Sequence, residues 1–404
     1  MFNKLFAKLL YLSNETIYKI FAVILSFLAL ILYLPVINFG FVADDHWLVP
    51  MSFKEAMDVS LTSRDFRPVW LFSFPVVNAL FGSSSLVHHT VNVSLHLTNC
   101  LLAISIIRKF LIGPIAIIVV ALWSLLPWVA FPIAWISQRN DLLMSFFILL
   151  ALHPLAKKRA NICILISLSF FSKVTSLFFF LIFCFKQGIR REKVDLLYGI
   201  CFFLVALAIA LLALRNQNPP RHLIDLPLII IILNQIKNVI IGWLTFFIPI
   251  PFLFTPVNIL GYMLFLTYLI WATIKYGQFT YESHRFLLYS FLMSIPMALA
   301  IELRITYLQS LFFLIALFSS LHSCLLVNNR GLSKPSIAFS ILVTLFLLYS
   351  IPAIHATLQN FNTRVYSISD IQERTIITTA SLYPNDFYSW LTDFQRDLLQ
   401  VISN

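Results

Sequence analysis

The chain has 404 residues, of which 60% are hydrophobic and only 11% are charged, and its mean hydropathy is +0.89. Because soluble domains carry about 25% charged residues, this composition excludes a soluble globular enzyme, a disordered chain and a coiled coil. Lys and Arg outnumber Asp and Glu by 28 to 17, which gives a net charge of +11. The long apolar runs do not alternate as barrel strands do, so we predict an all-α polytopic membrane protein.

Eleven apolar segments are predicted to cross the membrane, since about 20 apolar residues suffice for one span. They lie at 20–37, 86–107, 113–131, 139–156, 160–172, 174–186, 195–214, 257–275, 286–301, 305–326 and 335–354. Residues 160–186 could instead form one long span, but the basic loops on both flanks favour two spans separated at Ser172-Lys173. Residues 228–250 are also apolar enough to cross, which would invert every later loop. We interpret them as a re-entrant or interfacial helix.

The basic residues indicate the orientation of the chain. Sixteen of them lie in short loops that carry only four acidic residues, as at Lys157, Lys158 and Arg159. The positive-inside rule places these loops in the cytoplasm, with the N-terminus inside and the C-terminus outside the inner (plasma) membrane. The net positive charge is therefore explained by the orientation of the chain in the membrane, and nucleic acid is not an expected partner.

The predicted organisation is a membrane domain at 1–354 and an outer helical tail at 355–404. The first outer loop, at 38–85 within the membrane domain, is predicted to form short helices on the membrane face.

Cofactor motifs are absent from the sequence. The five Cys residues show no paired metal-ligand spacing. The nine Gly residues include no G-x-x-x-x-G-K motif, which argues against ATP or a nucleotide sugar as donor. We therefore predict no cofactor, and no divalent metal is indicated.

Acidic residues follow the first span at Asp44-Asp45-His46. One interpretation is a general base at the outer mouth of a cavity, where a carboxylate accepts the proton of a hydroxyl. The alternative is a solvated acidic pair at a helix end, which loop carboxylates commonly form.

Charged residues also open the fourth span, at Arg139-Asn140-Asp141. Arg139 and Asp141 could form a local ion pair. In the functional interpretation, Arg139 binds a phosphate and Asp141 binds a sugar hydroxyl or a metal.

A polar stripe runs along the second span. His89, Asn92 and His96 are spaced i, i+3 and i+7, so they share one helix face. Such a face must meet protein or water, and hydrogen bonding between helices is as good an interpretation as ligand binding. The spacing does not match the usual metal-binding pairs.

Further charges lie between later spans, where a Lys or Arg can bind an anionic head group. These charged residues are Lys173, Glu302 and Arg304, and Tyr307 lies close to the last two in the sequence. A further cation, Arg67, begins an amphipathic stretch of the first outer loop. Glu302 and Arg304 could equally pair with each other or snorkel, as could Arg67. Carboxylates and cations gathered at one membrane face suit a reaction on a lipid-borne phosphate ester, in which cations stabilise the departing phosphate.

The order of these motifs resembles that of the GT-C superfamily of membrane glycosyltransferases. The closest resemblance is to the protein O-mannosyltransferase-like proteins with tetratricopeptide repeats and to their bacterial relatives. The matching elements are the loop at 38–46, Arg67-Pro68-Val69, His89-x-x-Asn92-x-x-x-His96, Arg139-Asn140-Asp141-Leu142-Leu143, Ser172-Lys173-Val174 and the run from Glu302 to Ser310. Val174 stands where the family usually has an acid, and Gln309 replaces a proline. Residues from Pro384 onward resemble only the start of one repeat.

The resemblance implies an inverting hexosyltransferase that uses a polyprenyl-phosphate sugar as donor and a protein or glycan as acceptor. It implies that Asp44 is the catalytic base, with Asp45 as the second candidate. Asp141 would help to bind the acceptor, and Lys173 and Arg304 would contact the donor phosphate. His46, Arg67, His89, Asn92, Arg139, Glu302 and Tyr307 complete the predicted donor- and acceptor-binding set. The alternative from a different functional class is a transporter or flippase for a lipid-linked glycan, which would need no catalytic base.

Overall fold

A computed structural model describes residues 31–42, 44–62, 67–111, 113–153, 156, 159–176, 281–294 and 306–325, with the single positions 179, 267, 271, 354 and 358. Every regular element within these ranges is helical, which confirms the all-α prediction for this part of the chain. The predicted re-entrant helix at 228–250, most of the tail at 355–404, and the predicted site residues Glu302 and Arg304 lie outside these ranges.

The α-helices are numbered here in chain order among the described residues. They are α1 (Asp45–Leu48), α2 (Phe53–Thr62), α3 (Pro68–Phe81), α4 (Ser85–Ile107), α5 (Gly113–Ser124), α6 (Pro127–Ala134), α7 (Arg139–Leu152), α8 (Arg159–Ser172), α9 (Tyr281–Ser294) and α10 (Thr306–Leu325). Short 3₁₀ turns lie at Leu34–Asn38, Ile136–Gln138 and Val174–Ser176. The segment 38–85, which we predict to be the first outer loop and call by that name below, contains short helices as expected. Helix α8 ends at the predicted break after Ser172.

Helix α4 is the central element of this part of the fold. Its 23 residues rise about 34 Å at 1.5 Å per residue, which matches a hydrocarbon core of roughly 30 Å. Within the described ranges it is the one helix with both the length and the hydropathy to cross a membrane. The helix begins where the side chain of Ser84 accepts a hydrogen bond from the backbone N–H of Val87.

Prolines explain two irregularities near the predicted spans. The helix that includes residues 31–33 changes to a 3₁₀ turn at Leu34–Asn38, because Pro35 has no N–H to continue the α-helical pattern. The predicted continuous span at 113–131 is divided into α5 and α6. Leu126 adopts an extended conformation with ψ of 128°, because the ring of Pro127 disfavours a helical conformation in the residue before it.

Two apolar cores hold the described helices together. The larger core packs α4, α5 and α7 against α9 and α10, with Trp123, Phe286 and Phe312 buried inside it. The smaller core lies beneath the first outer loop and includes Leu48, Leu71, Phe74 and Ile136. Because Ile136 lies immediately before α7, this smaller core attaches the outer loop to the start of that helix.

Candidate functional site

Asp45 is a buried acidic residue whose hydrogen bonds hold the first outer loop in place. It is the first residue of α1, and its side chain is fully buried. Its Oδ2 accepts a hydrogen bond of 3.1 Å from the backbone N–H of Val42, and its Oδ1 accepts one of 2.8 Å from the backbone N–H of Ser137. Burial raises the pKa of Asp45 to about 7, although the two N–H groups and Arg139 act in the opposite direction.

Asp44 has a more accessible position than Asp45. It precedes α1 and is only partly buried, and its side chain makes no capping hydrogen bond to the helix. Its carbonyl oxygen instead accepts hydrogen bonds from Trp47 and Leu48. The next residue, His46, is exposed and contacts Phe41 edge to face, with ring centroids 5.9 Å apart. Of the two adjacent carboxyl groups, Asp44 is thus the one that can reach a molecule outside the protein core.

Arg139 is a fully buried cation that joins three helices. Its Nε donates a 2.9 Å hydrogen bond to Asn92 Oδ1, and one terminal nitrogen lies 2.9 Å from His88 Nδ1 and 3.2 Å from the carbonyl oxygen of His88. The other terminal nitrogen lies 3.5 Å from Ser73, and the guanidinium stacks over Phe74 at 4.8 Å. All three nitrogens thus lie within 3.5 Å of protein acceptors, and the phosphate contact of Arg139 stays a prediction.

Arg67 belongs to the same region through Trp70. The guanidinium carbon of Arg67 lies 5.3 Å from the centre of the Trp70 ring. The indole N–H of Trp70 donates a 2.8 Å hydrogen bond to the carbonyl oxygen of Ser137. Ser137 therefore bonds to Asp45 through its N–H and to α3 through its carbonyl.

The predicted polar face of α4 faces the protein interior. His89, Asn92 and His96 are all fully buried. His89 Nε2 lies 3.4 Å from the carbonyl oxygen of Gly40, whereas its buried Nδ1 has no hydrogen-bond partner. The amide of Asn92 approaches the carbonyl oxygens of Pro132 and Trp135 in addition to its bond with Arg139.

Aromatic side chains form a layer around His96, deeper along α4. His96 Nδ1 lies 2.7 Å from the hydroxyl oxygen of Tyr307, and the amide of Asn99 donates a 3.4 Å hydrogen bond to the same oxygen. The indole N–H of Trp123 donates to the carbonyl oxygen of Tyr307 at 2.8 Å. Tyr307 is therefore a buried link between helices in the described structure.

Asp141 pairs with Lys173. Lys173 Nζ lies 2.7 Å from both carboxylate oxygens of Asp141, and both side chains are almost fully buried. The local pair between Arg139 and Asp141, one of the two alternatives for that motif, does not form. Instead the ion pair connects the first turn of α7 to the end of α8. Nearby in the sequence, the buried hydroxyls of Ser145 and Ser176 have no hydrogen-bond partner.

The contacts thus bring several of the predicted site residues into one region. Asp45, Asn92 and Arg139 are connected through direct hydrogen bonds and Ser137, and His89 adjoins the loop before Asp44. His88 and Ser137 were not among the predicted site residues, although His88 lies on the same predicted span as His89. His88 could have been found from its i, i+4 spacing to Asn92, but Ser137 acts through its backbone and leaves no side-chain signal. Among the described residues, no three His, Cys, Asp or Glu side chains are grouped to hold a metal ion.

Comparison with known protein families, curated proteins and solved structures finds no significant match to this chain.

Proposed function

We propose that this chain is an inverting membrane glycosyltransferase that moves a sugar from a polyprenyl-phosphate carrier to an acceptor hydroxyl on the outer side of the inner membrane. In this proposal the chain crosses the membrane eleven times and presents the first outer loop and the start of α7 on the outer side. The proposal rests on the residues themselves and on the motif resemblance described above.

The observation that supports it best is the shared location of buried charges from distant parts of the sequence. Asp45 bonds to the backbone of Ser137, Arg139 bonds to Asn92, and Asp141 pairs with Lys173. Burying charged groups is costly, and inside a membrane protein such groups mark functional sites by default. A partly buried carboxyl group, Asp44, adjoins this region where a substrate could reach it.

Each group has a role in the proposed reaction. Asp44 accepts the acceptor's hydroxyl proton while the acceptor oxygen attacks the anomeric carbon from the face opposite the phosphate. The new carbon–oxygen bond forms as the bond to the phosphate oxygen breaks, and the polyprenyl phosphate leaves with the bonding electrons. The proposal gives Asp141 the acceptor and gives Lys173 and Arg304 the donor phosphate, so the buried ion pair between Asp141 and Lys173 has to open when the substrates bind. Catalysis depends on placement and charge, without a covalent intermediate on the protein.

Two residues are assigned positioning roles in place of direct contacts. Asp45 holds the loop that carries Asp44, because both of its carboxylate oxygens are bonded to backbone N–H groups. Arg139 holds Asn92 and His88 in place on α4. Neither side chain is exposed to a substrate.

The proposal is tested by mass spectrometry of glycans from cells with and without the gene. Deletion should remove a glycan or a single sugar residue, and the wild-type gene should restore it. The Asp44→Asn variant should not restore it, whereas Asp58→Asn should, since Asp58 is an exposed acid on α2 of the same loop. An unchanged glycan profile on deletion would contradict the proposal. Restoration by Asp44→Asn would favour a transporter or flippase, which needs no base.

A further inference from the structure

Basic side chains gather at the C-terminal end of α4, opposite the end that adjoins Asp45. Arg108 and Lys109 follow the last residue of α4, and both are exposed. His153, which follows α7, lies there too, because its Nε2 is 2.8 Å from the hydroxyl of Ser105 in the last turns of α4. In the sequence, Lys157, Lys158 and Arg159 follow His153 within six residues.

Arg285 on α9 joins this group by stacking on aromatic rings. Its guanidinium carbon lies 5.1 Å from the ring centre of Phe110, 4.9 Å from that of Phe286 and 5.9 Å from that of Tyr289. Phe110 is adjacent to Lys109, so the contact brings the first turns of α9 next to the end of α4. Stacking fixes the plane of the guanidinium, and a planar guanidinium suits recognition of phosphate oxygens.

Apolar surface extends from these cations along the helices. Leu288, one turn beyond Arg285, is 48% exposed, and Leu101, two turns before Arg108, is 46% exposed. The cationic surface at the end of this membrane-length helix matches the phosphate head group of a phospholipid. The exposed leucines further along the helices match its acyl chains. A free phosphate would use only the cationic part.

We propose that Arg108, Lys109 and Arg285 form a binding site for the head group of an anionic phospholipid in the cytoplasmic leaflet. His153 lies beside this site, and the exposed His284 precedes Arg285 in the sequence. The lipid phosphate contacts the basic groups at the end of α4, and its acyl chains lie along the apolar surfaces of α4 and α9. Each basic residue near an anionic membrane surface strengthens binding by roughly fivefold. The site is independent of the proposed transferase reaction.

The test uses the purified full-length protein in neutral detergent. Its thermal unfolding midpoint is followed by tryptophan fluorescence during titration with phosphatidylglycerol or with phosphatidylcholine of identical acyl chains. We expect phosphatidylglycerol to raise the midpoint and phosphatidylcholine to have little effect. Inorganic phosphate and glycerol phosphate, tested separately, should protect far less than the lipid.

Variants locate the site on the chain. Because Arg108 and Lys109 are exposed, the Arg108→Gln/Lys109→Gln variant should fold, and it should need over tenfold more phosphatidylglycerol for half of the effect. Arg285→Gln should weaken binding further, and Arg285→Lys should retain part of it. Lys54→Gln, at an exposed basic residue of the first outer loop, is the matched control and should bind as the wild type does.

The proposal is overturned if the double variant keeps wild-type lipid preference, if the two lipids act equally, or if free phosphate protects as well as the lipid.

Discussion

Asp45 Oδ1 lies 2.8 Å from the backbone nitrogen of Ser137, although 92 residues separate these two positions in the sequence. This hydrogen bond joins the first outer loop to the 3₁₀ turn that precedes α7. The other carboxylate oxygen of Asp45 holds the loop itself through Val42. Because Asp44 is the preceding residue, the bond from Asp45 to Ser137 also restrains the backbone of Asp44.

The burial of Asp45 predicts a specific pH dependence of stability. Its pKa rises from an ordinary value of 3.8 to about 7 on folding, so between these pH values the folded state binds a proton that the unfolded state does not. The contribution of Asp45 to stability is therefore complete below pH 4 and is lost as pH rises to 7. Thermal unfolding in detergent at pH 4 to 8 should show this decline in the wild type and a flatter profile in Asp45→Asn.

The Asp45→Asn variant should also be less stable than the wild type at acidic pH. An amide has only one oxygen, so the N–H of either Val42 or Ser137 faces the amide nitrogen, at a cost of about 1–3 kcal/mol. Asp58→Asn, at an exposed position, serves as the control and should keep the wild-type profile. Identical pH profiles for wild type and Asp45→Asn would show that Asp45 does not titrate in this range.

Arg139→Lys should destabilise the protein even though it keeps the positive charge. A Lys side chain has one nitrogen in place of three, so it cannot reproduce the separate contacts to Asn92 and His88 with the same geometry or stack flat on Phe74 as the guanidinium does. Losing two or three buried hydrogen bonds costs about 2–4 kcal/mol. Chemical denaturation in detergent measures the loss, and Arg108→Lys at an exposed position should change stability by less than about 0.5 kcal/mol. Equal stability of the two variants would contradict the assigned positioning role.

The pair of Asp141 and Lys173 is suited to a double-mutant cycle. Asp141→Leu or Lys173→Met alone leaves a buried charge without its counter-ion and should cost about 3–5 kcal/mol. The double variant should recover most of this loss, because an apolar pair avoids burying any charge. Under the proposed function it should still lack transferase activity. A stable and fully active double variant would show that the pair is only structural.

Local patterns in the sequence predicted several of the helices and the residues that share the polar face of α4. The spacing of His89, Asn92 and His96 predicted their shared face, which is buried in the structure. The boundaries of α4 and the break after Ser172 also agree with the apolar runs. These features depend on helix periodicity and on the position of apolar residues, both of which can be read along the chain.

The pairing of charged residues could not be predicted in the same way. Asp141 has Arg139 two residues away, yet its partner is Lys173, 32 residues further along. In a helix, positions i and i+2 point in different directions, so proximity in sequence did not indicate contact. The partner of Asp45 is a backbone N–H, which every non-proline residue has and which no sequence pattern identifies. The helix break before Pro127 could have been predicted from the restriction that proline places on Leu126.

The central claim, that Asp44 acts as a base in sugar transfer, is tested most directly in proteoliposomes. The purified protein is given a polyprenyl-phosphate sugar and an acceptor fraction from cells that lack the gene, and transferred sugar is measured. Loss of a general base predicts that Asp44→Asn lowers transfer by about 10²–10⁴-fold, while donor binding and thermal stability stay near wild-type values. Transfer by Asp44→Asn at the wild-type rate would contradict the proposed mechanism.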